Sequence, residues 1–317
     1  MLCGPEHHQR NSIPRRFVSL AKLLWLVVLY FLCIAQSIGA AEPQPAAVPS
    51  ESKPVIMKWL GVAGWEIRTG NTIVLIDPFL TRKDRVRDAE WKTDEEAVLR
   101  VVDGADYIFA GHSHADHIAD IPFIAKRFGS KVIGSRTTVN IAQAAGVDKS
   151  QLTAVQGGEK FDFKEFSVQV IQSQHGVQTR SGRQTQPKAE EILKPPSGPV
   201  MGNAFVEGGS YLYLFTFGKH RVLHQSTGNF IEENLQGLEP EVAILAENHN
   251  YEWARALKIL HPKLVIVHHF DQWRAPLSSG ISRANIKRAQ RLEQEVKSVD
   301  RDIKVIIPQF LATYTLD

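Results

Sequence analysis

Four potential metal ligands fall within six residues of this chain: His112, His114, Asp116 and His117, in the run IFAGHSHADHI. The chain has twelve histidines in 317 residues, so three in six positions beside an aspartate do not follow from composition. An apolar segment, 107–110, leads into Gly111 and then into the cluster, which is the pattern of a strand ending in a ligand-bearing turn. Imidazole and carboxylate together suit zinc, and they also suit iron or manganese. His112 and His114 can project together from a turn, while Asp116 and His117 are directed toward a second site. Zinc takes four ligands, so residues distant in sequence must complete each site. Two candidates end apolar segments. His175 follows 167–172 and precedes Gly176, and His269 follows 264–267 in VIVHHFDQW, where it is preferred over His268. Strand ends are where α/β proteins gather their chemistry.

Charge and cysteine usage limit the remaining possibilities. Lys and Arg number 37 against 34 Asp and Glu, and the excess sits in the first 41 residues (Arg10, Arg15, Arg16 and Lys22 against Glu6). Without those residues the counts are 33 and 33, which removes the case for nucleic-acid binding driven by overall charge. The basic residues precede an uncharged run of 13, LLWLVVLYFLCIA, and then small residues at 37–41. That order is that of a signal peptide, and the run is shorter than the roughly 20 residues of a membrane span. Residues 1–41 are therefore expected to be a signal peptide or, if uncleaved, a signal anchor. The expected location is periplasmic or secreted, with inner-membrane anchoring if the signal is retained. Both cysteines, Cys3 and Cys33, lie there, so the body has neither disulfides nor thiolate chemistry. Residues 42–54, EPQPAAVPSESKP, read as a flexible tether.

From 55 to 317 there is no repeat, low-complexity tract or linker, which points to one α/β domain. Apolar, β-branched or alternating runs predict strands at 55–60, 64–68, 72–76, 107–110, 131–133, 167–172, 210–217, 221–224, 242–245, 263–267 and 304–307. Helical periodicity predicts helices at 93–102, 121–127, 137–145, 231–237, 251–259 and 282–299. The polar, proline-punctuated stretch 178–201 is long for a loop in a compact domain. Its Arg180, Arg183, Lys188 and Lys194, set against Glu190 and Glu191, could cap the site and meet an anionic group. Trp65, Trp273 and Phe270 are candidates for an apolar wall, with core packing the expected role of the two tryptophans.

HSHADH resembles the HxHxDH signature of the metallo-β-lactamase-fold hydrolases. KWLGVAGWEI followed by TIVLIDPFL is similar to the opening hairpin of the branch that contains L-ascorbate-6-phosphate lactonase and N-acylphosphatidylethanolamine phospholipase D. The resemblance spans roughly 55–317 and implies an αββα four-layer sandwich. It also implies two metals, one held by His112, His114 and His175 and the other by Asp116, His117 and His269. HHFDQW with Pro276 and Leu277 matches the family's last histidine and places it at His269. The family aspartate that orients the metal loop by hydrogen bonds corresponds to Asp77. One departure stands out. Most members carry a metal-bridging aspartate in a GDT-like turn, where this chain has HQSTGNF, with Ser226 or Thr227 and no carboxylate. One β-lactamase subclass has serine there and two zincs. Glu247, in LAENHN, is a carboxylate candidate to approach the site, whereas Asn248 and His249 read as ordinary loop residues.

The expected cofactor is zinc, two per chain, with manganese or iron fitting the same donors. Zinc lowers the pKa of a bound water from 15.7 to about 7, giving a hydroxide nucleophile that Asp116 is placed to orient. No G-x-S-x-G, P-loop or GxGxxG motif supports another chemistry. Iron-based electron-transfer members place a glutamate where His114 stands, so the histidine favours hydrolysis. The expected function is an exported hydrolase that cleaves an ester, lactone, amide or phosphodiester of a small molecule or lipid. A β-lactam hydrolase is the alternative within enzymes. A metal-binding, non-catalytic protein on the same scaffold is the alternative outside them. The expected partners are that substrate and, through an uncleaved N-terminus alone, a membrane.

Overall fold

The computed structural model describes residues 53–176, 190–247 and 253–317, and the backbone of 178–180 and 183–185. The signal and tether through residue 52, the side chains of Arg180, Arg183 and Lys188, and residues Asn248 and His249 lie outside the described residues. The chain from 52 to 317 forms one compact unit.

Two seven-stranded sheets dominate that unit. The first is built from β1 (Val55–Gly61), β2 (Gly64–Thr69), β3 (Thr72–Ile76), β4 (Tyr107–Phe109), β5 (Lys131–Gly134) and β6 (Leu152–Ala154). The C-terminal strand β16 (Thr313–Leu316) pairs antiparallel with β1 at its edge. The second contains β7 (Lys160–Asp162), β8 (Ser167–Ser173), β11 (Ser210–Phe217), β12 (His220–Gln225), β13 (Val242–Ala246), β14 (Leu264–His268) and β15 (Lys304–Ile306). A separate hairpin joins β9 (Gln178–Arg180) to β10 (Arg183–Thr185). VAILA and LVIV are apolar throughout because β13 and β14 are parallel strands buried on both faces.

The helices cover the outer faces. α1 (Glu95–Leu99), α2 (Ala115–Ile118), α3 (Ile121–Phe128) and α4 (Arg136–Ala144) follow strands of the first sheet. Val98, Ile121, Ile124 and Ile141 pack there with Leu75, Ile108 and Val132. α5 (Trp253–Leu260) and α6 (Arg283–Val299) set Leu257, Leu260, Ala289, Leu292 and Val296 into one core with β13 and β14. Between the sheets, Trp59 stacks on Phe270 and Phe310 at 5.2 and 5.0 Å. Trp59 and Phe270, both fully buried, each contribute about 1.5–3 kcal/mol through removal from water. The order helix, sheet, sheet, helix is the four-layer αββα sandwich.

Two predicted helices are shorter than expected. The segment 93–102 is helical over Glu95–Leu99, started by Asp94 accepting from the Ala97 N–H, and the β-branched pair Val101–Val102 and Gly104 follow its end. The segment 231–237 forms a single 3-10 turn, Glu232–Leu235, because Gly237 takes a φ of 71° and Pro240 follows.

Strand direction decides where the chemistry gathers. β3, β4, β5 and β6 run parallel, as do β12, β13, β14 and β15. β8 and β12 both run antiparallel to β11 and so share a direction. The two sheets are tied at this end by a buried ion pair. Arg82, just after β3, meets Asp271, just after β14, at 2.6 Å, and Asp271 also accepts from the Val62 N–H at 2.9 Å. Removing one partner of a buried pair leaves an uncompensated charge and costs about 3–5 kcal/mol. Asp271→Ala is expected to lower unfolding free energy by that amount in denaturant titration; a change under about 1 kcal/mol would contradict this account.

Candidate metal centre

Asp77 directly follows β3 and is fully buried. Its Oδ1 accepts from the Gly111 N–H at 2.7 Å, and its Oδ2 lies 3.0 Å from His117 Nδ1. These two bonds pull the HSHADH turn onto the end of the first sheet. They also put a proton on His117 Nδ1 and leave Nε2 as a lone pair facing the site. Gly111 is required here, since a Cβ would lie 1.6 Å from Ser226 Oγ. On the other side of the turn, the Ser113 N–H donates to the Glu207 carbonyl at 2.8 Å. Ser113 Oγ also sits 2.8 Å from both Ser135 Oγ and Thr138 Oγ1. Asp120, at the start of α3, accepts from the backbone N–H groups of Leu80 and Thr81 at 2.7 and 2.8 Å, holding the loop after Asp77 against the cluster.

The six expected ligands converge as two groups of three, His112–His114–His175 and Asp116–His117–His269. Within each group the donor atoms all lie within 4.8 Å of one another. In the second group, His117 Nε2 and His269 Nε2 are 3.3 Å apart, and Asp116 Oδ2 is 3.6 and 3.7 Å from them. Ligands about 2.0–2.2 Å from a tetrahedral zinc stand roughly 3.3–3.6 Å from each other, so this triangle fits such an ion. In the first group, His112 Nε2 and His114 Nδ1 are 3.1 Å apart. His175 Nδ1 donates to the Gly176 carbonyl at 2.9 Å, which leaves its Nε2 as the acceptor. His112 Nδ1 is buried without a partner among the described residues. The rings of His112 and His117 are 3.8 Å apart, making the two groups neighbours.

Burial first, and then the other imidazoles, lowers the pKa values of His112 and His175, and His114 falls to about 3. All three are therefore neutral at physiological pH, the form that ligates metal. At Asp116 burial opposes ionisation, but His117, His269 and His114 hold its pKa at about 2. At His117 burial is overcome by Asp116 and Asp77, which raise its pKa. His269 takes a left-handed φ of 58° and donates its backbone N–H to Val62 O at 2.9 Å. Strained backbone of this kind persists where surrounding structure imposes it. His268 is excluded as a ligand: it accepts from Trp65 Nε1 at 3.2 Å and donates from Nε2 to the Gln225 carbonyl at 2.7 Å, fully buried.

The other expected site residues sit as follows. Ser226 is buried against Gly111, 3.5 Å from His224 Nδ1. Thr227 Oγ1 accepts from the Gly176 N–H at 3.0 Å and so positions the His175 turn. Glu247 pairs with Arg288 of α6 and lies outside both ligand groups. Trp65 and Phe270 are core residues and Trp273 packs near Phe79, so these three form the sandwich interior and its rim. Lys194 and Glu191 are exposed. Sequence reasoning missed Ser113, Ser135, Thr138 and Asp120, whose roles are hydrogen bonds between segments distant in sequence.

His114→Ala is expected to remove the metal of the first group and retain that of the second; unchanged metal by elemental analysis would contradict the assignment. Asp77→Asn keeps the shape but cannot accept at both oxygens. Metal affinity should fall about 10–100-fold, measured by competition with a chromogenic chelator.

The beta-lactamase superfamily domain matches this sequence over residues 56–269. A UPF0173 metal-dependent hydrolase of Myxococcus xanthus is 26% identical over 287 residues, covering 87% of this chain and 88% of its own. Among solved structures, Igni18, a metallo hydrolase from Ignicoccus hospitalis, superposes with a TM-score of 0.57 at 18% identity, over 83% of this chain and 99% of its own. CmlA, a diiron beta-hydroxylase from Streptomyces venezuelae, gives 0.54 at 14% identity, over 87% of this chain and 55% of its own. The two structures share the fold. With the ligand geometry and the match over residues 56–269, the chain belongs to the beta-lactamase superfamily, as a member with the metallo-β-lactamase fold.

Proposed function

We propose that this metallo-β-lactamase-fold hydrolase is exported and cleaves an ester, lactone, amide or phosphodiester bond in a small molecule or lipid. The observation that carries this reading is the pair of three-donor groups side by side, His112–His114–His175 and Asp116–His117–His269. His112 and His117 form their buried floor, while His114, Asp116, His175 and His269 are half-buried and leave one side open to a substrate. We assign zinc to both groups, on the imidazoles and single carboxylate they offer. Bound there, the ions would supply Lewis acidity and a water acidified toward neutral pH.

The chain's own residues do the rest. Asp77 and Thr227 hold the ligand-bearing turns in register. Asp116, ionised with a pKa of about 2, is too weak a base to carry a proton at neutral pH. With the ions bound, it would accept a hydrogen bond from that water and orient it. No cysteine is present after residue 41, and no nucleophile elbow occurs. Export rests on the order of basic, apolar and small residues through 41. It places the domain in the periplasm or outside the cell, or on the inner membrane if the signal is retained. A β-lactam hydrolase is a second reading, favoured by Ser226 or Thr227, both buried, in the turn where the resemblance puts the family's bridging carboxylate.

The decisive measurement is metal content beside turnover of esters, lactones, amides, bis-p-nitrophenyl phosphate and nitrocefin. Two zincs per chain, turnover abolished by chelation and restored by zinc, and no action on nitrocefin are expected. Stoichiometric metal with no turnover across the panel would replace the catalytic reading with a metal-binding one.

A further inference from the structure

Two cavities share Phe205 in their lining. The larger, of about 570 Å³, is lined by none of the six clustered ligands. The smaller, of about 370 Å³, is lined by His114, one ligand of the first metal group. Arg85 and Arg87 line the same cavity, from the loop that follows Asp77. Arg85 is half-buried and its guanidinium donates to the Phe205 carbonyl, so its direction is set before any ligand arrives. Its charge is felt at Asp116 and at His114. Guanidinium is the side chain best suited to grip a carboxylate or phosphate through two parallel hydrogen bonds.

The cavity also carries an unanswered acceptor. Glu207 is 7% exposed and its Oε1 accepts from Ser210 Oγ at 3.1 Å, but Oε2 is buried without a partner among the described residues. A buried oxygen left unpaired costs free energy that a ligand N–H or O–H would recover. Glu190 lines the same cavity, which therefore presents both signs of charge. Among the described residues of 178–201, Glu190 reaches this cavity.

Resting on the hydrolase reading, we propose that the substrate is anionic: it carries a carboxylate or phosphate beside the scissile bond, and Arg85, assisted by Arg87, holds that group while the bond lies over His114 and its metal. Neutral esters lack this anchor. Arg85 is thus a specificity residue that touches substrate but does not take part in bond cleavage.

The test measures binding, so that it stands apart from turnover. Zinc-loaded full-length protein is titrated calorimetrically with acetate, which can reach the metals alone, and with succinate and 3-phosphonopropionate, which can reach a second anion site as well. At least one of the bifunctional probes should bind about ten-fold more tightly than acetate, and which one does so identifies carboxylate or phosphate as the preferred group. Arg85→Gln should bring that ratio close to one at unchanged zinc content. If this variant loses zinc, Arg85→Lys decides in its place, and there the ratio should fall several-fold because the paired geometry is lost. Equal affinities for all three probes in the native protein would overturn the proposal, as would a ratio unaffected by the deciding variant. Absence of turnover on the substrate panel would instead overturn the hydrolase reading.

Discussion

The carboxylate of Asp77 is the constraint on which this site depends. It is buried at the end of β3, in a left-handed backbone conformation with φ of 45°. One oxygen holds the Gly111 N–H and the other holds His117. The first bond fixes where the ligand turn begins, and the second fixes which nitrogen of His117 is free. Because His117 sits at the floor between the two groups, its orientation sets the place of Asp116 and His269 around it. A carboxylate this deep is tolerated because each of its oxygens has a hydrogen-bond partner.

The rest of the sandwich keeps that end rigid. Val62, Asp77 and His269 all have positive φ, and strain of about 1–3 kcal/mol at each such residue is sustained only by firm surroundings. The Arg82–Asp271 pair, the Trp65–His268 hydrogen bond and the Val62–His269 backbone bond supply them. Each crosses from the first sheet to the second. A hydrolase of this fold needs its ligands preorganised and one face open, and strands ending at a common edge provide both.

Much of this was legible in the chain. HSHADH, the strand-end positions of His175 and His269, and the double-sided apolar runs of β13 and β14 are local patterns with direct physical meaning. The choice of His269 over His268 agrees with the geometry, in which Trp65 and the Gln225 carbonyl occupy both nitrogens of His268. Other features left no local trace. Glu247 looked free to approach the metals but pairs with Arg288, 41 residues away. Phe270 looked like a wall residue but stacks on Trp59 between the sheets. The Ser113–Ser135–Thr138 hydroxyl cluster and the Arg85 cavity join segments whose proximity depends on parallel β4 and β5 and on the path of 190–207.

The sequence by itself determined which atoms are available to bind a metal, and the alternation and runs that make strands carry them to one edge. That follows from side-chain chemistry and from periodicities set within a few residues. Only the tertiary structure decided which hydrogen bonds hold those atoms in place, what occupies both nitrogens of His268, and that arginines after β3 share a cavity with His114. Those outcomes depend on distances between segments up to about 200 residues apart, such as the 3.2 Å from Trp65 to His268, and no local pattern encodes them.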